Sequence, residues 1–118
     1  MDSLYERLGG RDGIPAIAND LVDLHLRNPR IAPRFAASDP ARVKEAAATF
    51  FIAGSGGPNV YAGKDMRAAH RGMNIDDAEF LAVLDDAMNA LERNRIGQRE
   101  KEEVLYILYT MKGDVLHG

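Results

Sequence analysis

"GSGGPNVYAGKDMRAAHRGM", residues 54–73, decides how this chain is read. Glycines at 54, 56, 57 and 63 and a proline at 58 lead into a short apolar and basic segment that carries His70. Such a stretch either cradles a phosphate or delivers one histidine to a ligand. A phosphate loop needs G-x-x-x-x-G-K and then Ser or Thr, after a strand and before a long helix. Here five residues, one too many, separate Gly57 from Gly63. Asp65 follows Lys64, and its carboxylate repels phosphate. The preceding segment has helical periodicity, so the phosphate reading fails.

The histidine reading fares better. Met66, Ala69, His70 and Met73 share one helical face by i, i+3, i+4, i+7 spacing. His70 is either a core histidine satisfied by backbone groups or a metal or cofactor ligand. A zinc site needs three or four protein ligands. The chain has three histidines (His25, His70, His117), none in an H-x-x-x-H or H-x-x-E pair. Haem iron already has four porphyrin nitrogens and asks the protein for a single strong axial ligand. A flat apolar macrocycle also needs an aromatic and aliphatic slot, which Phe35, Phe50, Phe51, Met66, Met73, Ile75 and Phe80 can provide. Lys64 and Arg67, either side of Met66, are candidate cations for propionates, and Tyr61 is a candidate contact at the haem edge.

Outward from this stretch the periodicity is helical throughout. Ser3 with Glu6 forms a capping box for a short helix that Gly9 and Gly10 stop. Ile14, Ile17, Leu21 and Leu24 stripe a second helix from Ile14 to Arg27, with Ala18, Val22 and His25 beside the stripe; Asn28-Pro29 ends it. A loop, "PRIAPRFAAS", follows. Asp39 is an N-cap with Pro40 in the first turn. Val43, Ala47, Phe50, Phe51 and Gly54 give a third helix its apolar face. A short helical piece is expected around Met66 to His70. Asp76 and Glu79 mark the next start, with Phe80, Leu84, Ala87, Met88 and Leu91 inward; "RNRIGQ" breaks it. Val104, Leu105, Leu108, Met111 and Val115 carry the last helix, from which Tyr109 can also point inward. No segment alternates with period two, so the fold class is all-α.

The chain has 118 residues, the size of one domain over 1–118, with 46% hydrophobic and 28% charged residues. It lacks cysteine, which removes disulfides, zinc thiolates, iron–sulfur sites and thiol catalysis. The net charge of -3 disfavours nucleic acid as a partner. No apolar run reaches the ~20 residues of a membrane span. The N-terminus has no signal-peptide pattern, so a cytoplasmic location is expected.

The order of these elements resembles the truncated haemoglobins of group I, the two-over-two globins, over nearly the whole chain. The resemblance rests on "SLYERLGG" (3–10), "NPRIAPRF" (28–35), "GGPNVYAG" (56–63), "MRAAHRGMNIDDAEF" (66–80) and "ILYTMKGDVL" (107–116). It implies a two-over-two helical sandwich around haem b, with His70 as proximal iron ligand. It implies that Phe35 packs on the haem face and that Phe50 and Phe51 line the far side. It implies diatomic gases as ligands: oxygen, nitric oxide and carbon monoxide. The distal positions depart from the family. A tyrosine on the second helix is replaced by Val22, and the glutamine or leucine positions of the third helix by Val43 and Ala47. His25, one turn beyond Val22, is either packed between helices or reaches the distal cavity as a donor or sixth ligand.

Three functions follow. The first is reversible gas binding, for oxygen transport or for sensing and scavenging gases, by a monomer or weak homodimer. The second is nitric oxide dioxygenase or peroxidase-like turnover with an external reductase. The third is a haem-free helical interaction module.

Overall fold

The long helices begin either where a side chain satisfies a backbone donor that the first turn leaves open or at a glycine N-cap. In the computed structural model, which describes residues 3–63, 73 and 75–116, these are α1 (Leu4–Arg7), α2 (Gly10–Arg27), a 3₁₀ turn (Ala32–Phe35), α3 (Pro40–Gly54), α4 (Asp77–Arg93), α5 (Gln98–Thr110) and α6 (Lys112–Val115). Ser3 Oγ accepts from the Glu6 amide at 3.2 Å. Asp39 accepts from the Ala41 amide at 3.1 Å and Asp76 from the Glu79 amide at 2.8 Å. The described residues contain no strand, and a parallel bridge joins Ile75 to Leu116. The fold is all-α.

Helix α2 is the centre of the molecule. It packs on α3, on α4 and on the 3₁₀ turn, while α4 packs on α5 and α1 closes against α2 and α5. The pair α2/α3 thus lies over α4/α5, a two-over-two sandwich. Ile14, Ile17 and Leu21 of α2 meet Ala87, Ala90 and Leu91 of α4 and Val104 of α5 in the main core. Ala18 and Ala90 are fully buried, and small residues there let the helices approach closely. Each buried Ile or Leu in this core contributes about 1.5–3 kcal/mol of transfer free energy. A second cluster, Ile75, Phe80, Leu84 and Val115, sits at the other end of α4. Arg7 of α1 pairs with Glu100 at 3.1 Å and with Glu103, tying the first helix to α5.

Three boundaries differ from the sequence reading. The second helix begins at Gly10, one turn before the apolar stripe, because Gly9 (φ 98°) reverses the chain in the left-handed region that only glycine enters freely. The expected last helix breaks at Met111. Thr110 Oγ1 bonds the Ile107 carbonyl at 2.6 Å, and Leu116 turns extended to bridge Ile75. The loop expected between α2 and α3 contains the 3₁₀ turn that carries Phe35. Leu105 and Tyr109, read as inward, face out: they are 37% and 57% exposed, and Lys112 lies over the Tyr109 ring. Gly54 is exposed at the end of α3, not part of its buried face.

Candidate functional site

Between the two layers the helices leave a cavity of about 370 Å³, within the range of small-molecule and cofactor sites. Its walls follow helical spacing. From α3 come Val43, Ala46, Ala47, Phe50 and Phe51, one face at i, i+3, i+4, i+7 and i+8. Val22 and His25 enter from α2 one turn apart, and Phe35 from the 3₁₀ turn. Ile75, Phe80, Val83 and Leu84 form the opposite wall, and Leu108, Met111 and Val115 close it. Val43, Ala47 and Phe50 remain half-buried because they line this space instead of packing on another helix.

Only His25 and Tyr61 bring nitrogen or oxygen side-chain atoms to the described lining. Tyr61 leans edge-on against Phe50, with ring centroids 5.5 Å apart, and Phe50 meets Phe51 in the same way at 5.8 Å. Glycine delivers this aromatic group to the wall. Helix α3 ends at Gly54, Ser55 Oγ bonds the Phe51 carbonyl at 2.5 Å, and Gly56 (φ 97°) turns the chain toward Tyr61.

His25 is 7% exposed and stacks on Phe35, with ring planes 7° apart and centroids 6.1 Å apart. Its Nδ1 lies 2.7 Å from Asp86 Oδ2 on α4, a residue equally buried. Asn28 Nδ2 donates to both Asp86 oxygens, at 3.4 and 3.3 Å. Burial pushes the His25 imidazole below its usual pKa of 6.5; the Asp86 carboxylate opposes that shift without overcoming it. A neutral imidazole beside a carboxylate must donate from Nδ1, which leaves the lone pair on Nε2.

The structure therefore brings together Val22, His25, Phe35, Val43, Ala47, Phe50, Phe51, Tyr61, Ile75 and Phe80 of the sequence-derived site. Met73 packs on the Ile75–Phe80 cluster behind the wall. His70, Lys64, Met66 and Arg67, the helical piece expected there, and His117 lie outside the described residues. His25 does two things at once: it packs between helices through Asp86, and it lines the cavity. Sequence reasoning missed Asp86. Its one signal was position: Asp86 falls in the same i, i+4 row as the buried Ala82 and Ala90. It also missed Arg34, whose guanidinium makes two bonds to Glu79, at 2.8 and 2.7 Å, and a third to the Met73 carbonyl at 2.7 Å. That pairing holds the Glu79 carboxyl below the usual carboxylate range.

Two helical layers enclosing an apolar cavity are the architecture of a globin-class protein. Residues 3–117 match the family described as bacterial-like globin. The chain is 26% identical over 117 residues to the group 1 truncated hemoglobin GlbN of Nostoc sp. (strain MUN 8820), covering 99% of each. In three dimensions it is similar to the truncated hemoglobin from Tetrahymena pyriformis in its Fe(III) form, with a TM-score of 0.95 and 26% identity over 99% of this chain and 100% of that one. It is also similar to the 2/2 hemoglobin from Synechococcus sp. PCC 7002, described in the cyanomet state with covalently attached heme, with a TM-score of 0.90 and 27% identity over 98% of both chains. The chain belongs to the bacterial-like globin family, and the relatives it is similar to include truncated haemoglobins of group 1. It is a haem-binding, gas-binding globin, and haem b is its cofactor. The cavity fits that group: aromatic and aliphatic walls on both sides, with nitrogen and oxygen side-chain atoms, among the described residues, confined to His25 and Tyr61.

Proposed function

We propose that this globin binds oxygen, nitric oxide and carbon monoxide at a haem iron held by His70, in a distal pocket without a hydrogen-bond donor from Val22, Val43 or Ala47. The observation that carries this reading is the wall itself: the three side chains that line the cavity from α2 and α3 at these positions are apolar. His70 serves as a neutral imidazole with one nitrogen toward the iron. Its second nitrogen donates to a backbone carbonyl or other acceptor, which fixes the tautomer. Phe35 packs against the macrocycle, Phe50 and Phe51 shape the far side, and Lys64, Arg67 and Tyr61 meet the polar edge; Met66, Ile75 and Phe80 complete the slot, with Met73 supporting the wall from behind. Haem, when bound, supplies the open iron position where a gas adds. What the chain supplies is an apolar wall whose side chains at 22, 43 and 47 give bound oxygen no hydrogen bond. Gases that depend less on such a bond, carbon monoxide and nitric oxide, are favoured relative to oxygen.

The test begins with an absorption spectrum. The purified protein is expected to show a Soret band and to give ferrous complexes with all three gases. His70→Ala is expected to lose the haem or hold it weakly. A colourless protein that takes up no added haemin, or a His70→Ala variant with an unchanged spectrum, overturns the assignment.

A further inference from the structure

The least expected feature of the cavity is the polar pair set in its wall. His25 and Asp86 are both at least nine-tenths buried, come from different layers of the sandwich and are joined at 2.7 Å. Their outer side is satisfied by Asn28. Among the described residues His25 Nε2 has no hydrogen-bond partner, yet no described side-chain polar atom is both sealed and unpaired. Nε2 therefore opens onto free space, and the space that His25 lines is the cavity. With Nδ1–H committed to Asp86, the atom presented there is a lone pair, a proton acceptor and not a donor. Such an atom does nothing for bound oxygen, which needs a donor. It suits a ligand that arrives carrying a proton.

We propose that His25, oriented by Asp86, is an internal proton acceptor that lets this pocket bind small weak acids H–X, of which hydrogen sulfide and hydrogen cyanide are examples, as their anions. The inference rests on the haem reading above. The H–X bond breaks heterolytically; the electron pair stays on X, which enters the iron's open position as X⁻, and the proton goes to His25 Nε2. No proton leaves the protein and no oxidant is consumed. The product is an imidazolium between X⁻ and the Asp86 carboxylate, so the new charge is compensated on both sides. Of the other charged groups on the elements around His25, Arg34 of the 3₁₀ turn is engaged by Glu79 of α4, and Lys44 of α3 by Asp23 of α2 at 2.9 Å. Asp85 of α4 is exposed, and Tyr61 lies across the cavity. Among the described residues, Asp86 is the one charged partner in contact.

The experiment uses the ferric holoprotein and potassium cyanide in weakly buffered solution near neutral pH, with a pH indicator to count protons. Wild type is expected to release close to none per haem bound. His25→Leu, which binds X⁻ without an acceptor, is expected to release about one. Cyanide affinity of the wild type should then stay flat with pH near neutrality, while that of His25→Leu rises about tenfold per pH unit. Nitrogen-15 NMR of the wild type alone provides a readout that needs no variant: one protonated ring nitrogen on His25 before cyanide and two after. Asp86→Asn, which removes the orienting carboxylate, should release an intermediate number of protons. Release of a full proton by the wild type, or an unchanged His25 ring on binding, overturns the proposal while leaving the haem reading intact. So does a resting six-coordinate spectrum abolished by His25→Ala, which would make Nε2 a ligand. Absence of a Soret band overturns both.

Discussion

At the scale of single residues, function in this pocket turns on what Val22 does not offer. Iron-bound oxygen carries partial negative charge, and a hydrogen bond to it contributes roughly 1.5–3 kcal/mol. Val22 is buried and lines the cavity, so a tyrosine at that position projects its hydroxyl into the same space. Val22→Tyr is expected to slow oxygen dissociation by about 10- to 150-fold, with a smaller effect on carbon monoxide. Stopped-flow displacement of oxygen measures it; a wild type that already releases oxygen slowly would contradict an apolar distal side. The identity of Val22 was legible from sequence because its role depends on its place along one helix. The partner of His25 was not. Asp86 is 61 positions away, and only packing α2 against α4 shows that the two meet. On a helix read alone, Asp86 is one more acid beside Asp85.

Elements were legible where the signal is local. The capping residues Ser3, Asp39 and Asp76, the stripes of α2 and α4, and the α3 face except for Gly54 fall where periodicity and cap chemistry place them. The break at Met111 was not legible, because it follows from Leu116 pairing with Ile75, a contact across the chain. Arg34 illustrates the same limit with a consequence for the site. From the 3₁₀ turn it spans to Glu79 at the start of α4 and to the carbonyl of Met73. Met73 stands three residues after His70. Arg34 thus links the turn bearing Phe35 to the chain just beyond the proposed iron ligand. Its side chain is partly exposed, so the link contributes about 1 kcal/mol and not the value of a buried pair. Arg34→Ala is expected to accelerate haem transfer to an acceptor globin roughly fivefold, with gas affinities little changed. Glu79→Gln should show a smaller effect, since the bond to the Met73 carbonyl survives. An unaltered haem-loss rate in Arg34→Ala would separate this ion pair from cofactor retention.

For the whole molecule, the same groups set how stability depends on pH. His25 is held neutral by burial, below its usual pKa of 6.5, so the unfolded chain binds its proton first as pH falls. Stability is therefore complete above about 6.5 and declines once pH drops below it. Glu79, Glu92 and Glu103 behave as paired carboxylates: Arg34, Lys101 and Arg7 hold them below the usual value of 4.5, and their contribution is lost as pH falls beneath it. Acid unfolding should thus include an upper limb to which His25 in the wall of the cavity contributes and a lower limb from ion pairs at the surface. His25→Gln, which keeps a donor for Asp86 but does not titrate, should reduce the upper limb and leave the lower one in place. Thermal unfolding of wild type and variant from pH 8 to pH 4 reads this as a difference between the two proteins, in which every shared titration cancels. Parallel curves through pH 6 would mean that His25 titrates in the fold as it does in the unfolded chain. Burial in the cavity wall would then not be what keeps the imidazole neutral as the pH falls.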